Sequence, residues 1–103
     1  MINVLLAEDH ETVREGLRLL VNAQPDMRVV SEAGNGALAV ERACLVKPDV
    51  IVLDLSMPEM SGLVAARTLR ASLPSAAIVT LTRHSDHAYL QQLMAAEIGR
   101  AHV

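Results

Sequence analysis

Val50-Ile51-Val52-Leu53-Asp54, entered from Pro48-Asp49 and left through Leu55-Ser56-Met57-Pro58, decides the fold. A short unbroken run of β-branched and leucine residues between proline breaks suits a strand buried on both faces, as in a parallel sheet. Three similar runs accompany it: Ile2–Ala7, Arg28–Ala33 and Ala76–Leu81. Between the runs, apolar residues fall into a helical period. Val13, Leu17, Leu20 and Val21 form one stripe, and Leu38, Ala39, Ala43 and Val46 a weaker second. Leu63, Ala66, Leu69 and Leu73 form a third with Arg70 at its margin, and Leu90, Leu93 and Met94 begin a fourth. Pro25-Asp26 closes the first helix, Gly34-Asn35-Gly36 turns the chain into the second, and Pro74 follows the third. The order β-α-β-α-β-α-β-α predicts an α/β domain: a parallel sheet with helices on both faces. A fifth strand and helix would complete a common version of this fold. The chain ends before either forms, so the fold is expected to be incomplete at the C-terminus. Strand four is then an apolar edge, and self-association is its expected consequence.

The chain has 103 residues, which bounds it to one domain. A hydrophobic content of 51% excludes a disordered tail. Trp and Phe are absent and Tyr89 is the lone aromatic, so the core is aliphatic. Single-strand nucleic-acid platforms need several stacking aromatics, and a phosphate-backbone binder wants a basic face. A net charge of −3 fits neither. Cys44 alone makes no internal disulfide, which fits a reducing cytoplasm. No apolar run approaches the roughly 18 residues of a membrane span. Met1-Ile2-Asn3 enters the first apolar run without the basic segment of a secretory signal. The expected setting is cytoplasmic, with no membrane contact.

In an open α/β sheet, ligands bind outside the carboxyl ends of the strands, at the point where strand order reverses. Strand one ends in Glu8-Asp9, strand three in Asp54, and strand four in Leu81-Thr82. If strands one and three are neighbours, three carboxylates converge on one mouth. Like charges at that range raise a pKa or demand a cation, and an oxygen-liganding ion, Mg²⁺ above all, is the natural neutraliser. Singly, each residue has a plainer reading. Asp9 could cap the first helix, Asp54 could serve a turn before Pro58, and Thr82 could bond nearby backbone.

Taken together, Glu8-Asp9, Asp54-Leu55-Ser56-Met57-Pro58-Glu59-Met60-Ser61-Gly62 and Thr82 resemble the receiver domain of bacterial two-component response regulators. Ala7-Glu8-Asp9-His10, Val13-Arg14-Glu15-Gly16-Leu17 and Glu32-Ala33-Gly34-Asn35-Gly36 resemble its NarL/LuxR (FixJ) branch. The resemblance covers residues 1–96. It implies the flavodoxin-like, CheY-like receiver fold. It also implies a regulatory phosphoacceptor, not an enzyme of metabolic turnover, which assists its own phosphotransfer and dephosphorylation. By position, Asp54 is the phosphoacceptor, and Glu8, Asp9, Asp54 and the Ser56 backbone carbonyl hold Mg²⁺. Thr82 is the switch hydroxyl, and Met57, Pro58 and Gly62 shape the loop over the site. The implied partner is a sensor histidine kinase. Nucleic acid is met only through a helix-turn-helix domain that this segment lacks.

The chain departs from the family at its end. The lysine that pairs with the phosphoryl group at the end of strand five has no counterpart. Lys47, the one lysine, opens strand three at the wrong end of the sheet, and Arg83 reads as a solvated loop residue. Residues 97–103, Glu97-Ile98-Gly99-Arg100-Ala101-His102-Val103, are similar to a translated sequencing adapter and are set apart as a non-family tail. His10 reads as an exposed rim residue. Three other functions compete. A receiver-like interaction module would dispense with phosphorylation. A flavin binder would want a glycine-rich loop after strand one. A haloacid dehalogenase-type phosphatase would want Asp where Ser56 stands.

Overall fold

The computed structural model describes residues 1–57, 62–81 and the backbone of 101–102. The elements run β1 (Ile2–Ala7), α1 (Glu11–Asn22), β2 (Met27–Ala33), α2 (Gly36–Val46), β3 (Val50–Asp54), α3 (Gly62–Ser72), β4 (Ala77–Leu81) and β5 (Ala101–His102). The strands pair in parallel in the order β2-β1-β3-β4-β5. From β1 the chain steps outward to β2, then crosses back over β1 to β3. Right-handed crossovers therefore put α1 on one face and α2 and α3 on the other.

Register sorts the side chains. Leu5 pairs with Ile51 and Ile51 with Ile78, while Ala7 pairs with Leu53. These residues share one face and are buried against Ala39 and Ala43 of α2 and Ala65, Ala66 and Leu69 of α3. Alanines on both helices let them sit close to the large aliphatic side chains of the sheet, which is how a core without Trp or Phe closes. Asn35 starts α2 by accepting the Leu38 N–H at 2.8 Å, and Lys47 ends it in the left-handed conformation at φ 48°.

The opposite face is thinner. Val4 and Leu6 are fully buried, but Val52, Val79 and Leu81 are only half-buried. Helix α1 has no fully buried residue. Of its expected stripe, Leu17 and Val21 are half-buried, whereas Val13 is 47% and Leu20 67% exposed. The β1–β2 ladder carries a bulge: Val4 pairs with Val29 and Leu5 with Ser31, which leaves Val30 as the extra residue. Beyond it Ala33 joins the α2 side with Ala7, and Glu32 joins the α1 side with Leu6.

One expectation is corrected. The edge of β4 is not bare: Ala101 pairs with Val79 and His102 with Thr80. An edge strand presents unpaired backbone donors and acceptors, and two extended residues suffice to meet those of two positions. The fourth helical stripe, Pro58, Thr82 and Arg83 lie outside the described residues. Among the described residues no helix is long and apolar enough to cross a membrane.

The two faces predict different sensitivities. Ile51→Ala removes a fully buried side chain at the middle of the sheet and should cost about 2–5 kcal/mol. Leu20→Gln, on the exposed side of α1, should stay within about 0.5 kcal/mol. Urea unfolding of the two variants checks the contrast.

Candidate functional site

Chain order reverses between β1 and β3, and the last β1–β3 pair is Ala7 with Leu53. The next residues, Glu8 just past β1 and Asp54 at the end of β3, therefore stand at the same edge of the sheet. Both are buried, at 2% and 1% exposure. Donor atoms of Glu8, Asp9, Asp54 and His10 lie within 4.8 Å of one another. The expected convergence of three carboxylates is thus present, with an imidazole beside it.

Local structure holds each member. The Glu8 N–H donates to the Ala33 carbonyl at 3.0 Å, tying the end of β1 to β2. The His10 N–H donates to Glu8 Oε1 at 3.0 Å. His10, not Asp9, is the N-cap of α1, without a side-chain capping bond. Its Nδ1 instead lies 3.0 Å from Glu8 Oε1 and 3.1 Å from Asp9 Oδ1. The Ser56 N–H donates to Asp54 Oδ1 at 2.9 Å and so fixes the plane of that carboxylate. Leu55 N–H donates to the Leu81 carbonyl at 3.1 Å, which anchors the chain just after Asp54 to the end of β4.

The described residues on either side of the loop after β3 are closely packed. Met57 is buried in the core cluster beside Leu55. A Cβ on Gly62 would stand 2.3 Å from Leu55 Cα, closer than any real contact, so the first residue of α3 must be glycine to lie against this backbone. Lys47 lies at the far end of β3 from Asp54.

Arg14 is a support that sequence reasoning missed. It donates from a terminal nitrogen to the Glu8 carbonyl at 2.8 Å and from Nε to Glu32 Oε1 at 3.1 Å. Arg18 donates to Glu32 Oε2 at 2.9 Å, and Arg42 donates to the Glu32 carbonyl. The Glu32 side chain faces Arg14 and Arg18 of α1 because the β2 bulge turns it to that side, while Arg42 comes from α2. No local pattern reveals a pairing eighteen residues apart. The Thr80 hydroxyl was missed as well: it is buried with no hydrogen-bond partner among the described residues.

The charges are unequal. Burial pushes the Glu8 carboxyl up and the neighbouring Asp54 adds to the effect, while the His10 N–H opposes both. At Asp9 burial also pushes up, but bonds from Asp54 and Glu8 and the adjacent His10 outweigh it and hold the carboxyl below its usual range. Glu8 therefore releases its proton at a higher pH than Asp9, the expected settlement of crowded carboxylates. The oxygen-rich donor set fits a hard divalent cation such as Mg²⁺.

Residues 4–101 match the family model described as Response regulator receiver domain. The chain is 45% identical over 89 residues to the uncharacterized transcriptional regulatory protein YxjL of Bacillus subtilis, covering 86% of this chain and 41% of that protein. It is 40% identical over 100 residues to the DNA-binding transcriptional activator DevR/DosR of Mycobacterium tuberculosis, covering 96% and 46%. The chain thus spans less than half the length of these relatives. Among solved structures, a LuxR-family two-component response regulator from Aurantimonas superposes with TM-score 0.90 at 30% identity, over 99% of this chain and 72% of that one. The receiver domain of Mycobacterium tuberculosis NarL does so with TM-score 0.90 at 29%, over 98% and 81%.

The opposite shifts give opposite stability signs in metal-free buffer. The Glu8 value lies above its ordinary 4.5, so its ionisation at neutral pH disfavours the folded state. Glu8→Gln should melt above the parent at neutral pH, with the advantage vanishing as pH falls below 4.5. The Asp9 value lies below its ordinary 3.8, so Asp9 contributes stability above 3.8 that is lost on acidification through its lowered value. Asp9→Asn should melt below the parent at neutral pH. Thermal melts across pH read both signs.

Proposed function

The chain belongs to the response regulator receiver family, and on that footing we propose that it accepts a phosphoryl group on Asp54 from a sensor histidine kinase. The observation that supports this most is the Asp54 carboxylate, buried at the reversal of strand order beside Glu8 and Asp9. In this reading the role is regulatory and cytoplasmic, and the output is a helix-turn-helix domain carried elsewhere.

Asp54 is the nucleophile. The Ser56 N–H, bonded to Oδ1, orients its carboxylate for in-line attack on phosphorus. Glu8, Asp9, Asp54 and the Ser56 carbonyl would hold Mg²⁺, which when bound neutralises phosphoryl oxygens that three carboxylates would otherwise repel. Arg14 keeps Glu8 in place by holding its carbonyl. Met57, Pro58 and Gly62 shape the loop above, and Thr82 bonds the arriving phosphoryl oxygens and draws its own loop inward. The same pocket assists hydrolysis of the acyl phosphate. The exposed leucines of α1, Leu19 and Leu20, support self-association.

A second reading, an interaction module that is never phosphorylated, is favoured by one observation: the chain's single lysine lies at the opposite end of β3 from Asp54. Incubation with acetyl phosphate and Mg²⁺ followed by intact mass separates the two. The phosphoacceptor reading expects one added phosphoryl group, none in Asp54→Asn or in EDTA, and labelling about 10²-fold slower in Asp9→Asn. An unmodified parent leaves the module as the function.

A further inference from the structure

We propose that His10 is a fourth donor of the acidic site and turns its preference from Mg²⁺ toward divalent first-row transition metals. The proposal rests on the metal pocket of the preceding reading and adds to it a residue and an ion class.

The argument begins with spacing. Two ligand atoms bound at right angles to one ion, each near 2.1 Å from it, stand about 3.0 Å apart. His10 Nδ1 lies 3.0 Å from Glu8 Oε1 and 3.1 Å from Asp9 Oδ1. All four donor atoms, those of Glu8, Asp9, His10 and Asp54, fall within 4.8 Å of one another. The imidazole is therefore already at ligand separation from two carboxylates, without a rotamer change. Its root is fixed too: the His10 N–H bonds Glu8 Oε1, and the residue holds the extended N-cap conformation at φ −86° and ψ 113°.

Donor type then decides the ion. Three carboxylates alone suit a hard, oxygen-seeking cation. An imidazole nitrogen gains little from Mg²⁺ but binds Co²⁺, Ni²⁺, Cu²⁺ and Zn²⁺ strongly. Without the ion, Nδ1 stands within hydrogen-bonding distance of both carboxylates. With the ion, the metal stands between them and the neutral ring carries its proton on Nε2. The ring is half exposed, so this exchange needs no opening of the core.

Co²⁺ is the probe, titrated into the full chain alone and in competition with Mg²⁺, with proton NMR as an independent readout. The expected result is a roughly tenfold or greater preference for Co²⁺. It comes with one strongly shifted, solvent-exchangeable ring N–H resonance. In His10→Gln that resonance disappears and the preference falls roughly tenfold, while Mg²⁺ affinity stays within about twofold. In Asp9→Asn both ions bind more weakly. Co²⁺ binding without the ring resonance, or an unchanged preference in His10→Gln, overturns the His10 assignment and leaves the acidic pocket standing. No saturable binding of either ion by the parent overturns both.

Discussion

Two carboxylates buried side by side, Glu8 and Asp54, are the constraint around which the rest of the structure is arranged. Neighbouring parallel strands that end in register deliver them to the same point, and neither can retreat into solvent. Burying like charges is costly unless each finds donors or shares a proton. The fold supplies both remedies. Backbone N–H groups of His10 and Ser56 point at the pair, and Glu8 holds its proton more tightly than an exposed glutamate would. The site is thus stable at the expense of being under electrostatic load, and a cation or a phosphoryl–cation pair relieves that load.

The load is carried by a frame outside the site. Arg14 joins the Glu8 carbonyl to Glu32, and Arg18 and Arg42 hold Glu32 from two further directions. This frame exists because of the bulge at Val30. Without the extra residue, the end of β2 would turn Glu32 toward α2 and present Ala33 to the arginines. A local irregularity in an edge strand thereby sets the position of a carboxylate one strand away.

The elements were largely legible in the sequence, because continuous apolar runs and helical stripes differ in period. All four long strands stand within one residue of their expected bounds, and Glu8, Asp9 and Asp54 meet as their places at strand ends imply. What was hidden depends on tertiary contact. Val29, Val30 and Ser31 give no sign of which one bulges. The α1 stripe shows which side of the helix is apolar but not whether anything covers it, and Val13 and Leu20 remain exposed. His10 was read as a rim residue because exposure and involvement are not opposites: the ring is half in solvent while Nδ1 faces two carboxylates. Two residues of β5 are too short to have a period at all.

The contact between Gly62 and Leu55 has a consequence for inheritance. Every missense change of a glycine codon installs at least a Cβ, and here that atom would fall 2.3 Å from a main-chain carbon that has no rotamer to yield. Any such change must move the main chain at Leu55 or Gly62 itself. Drift in descendants of this gene must pass around it, through neighbours such as Val64 and Arg67 whose side chains are exposed. A substitution at Gly62 therefore meets fixed main chain, where one on the exposed face of α3 meets solvent.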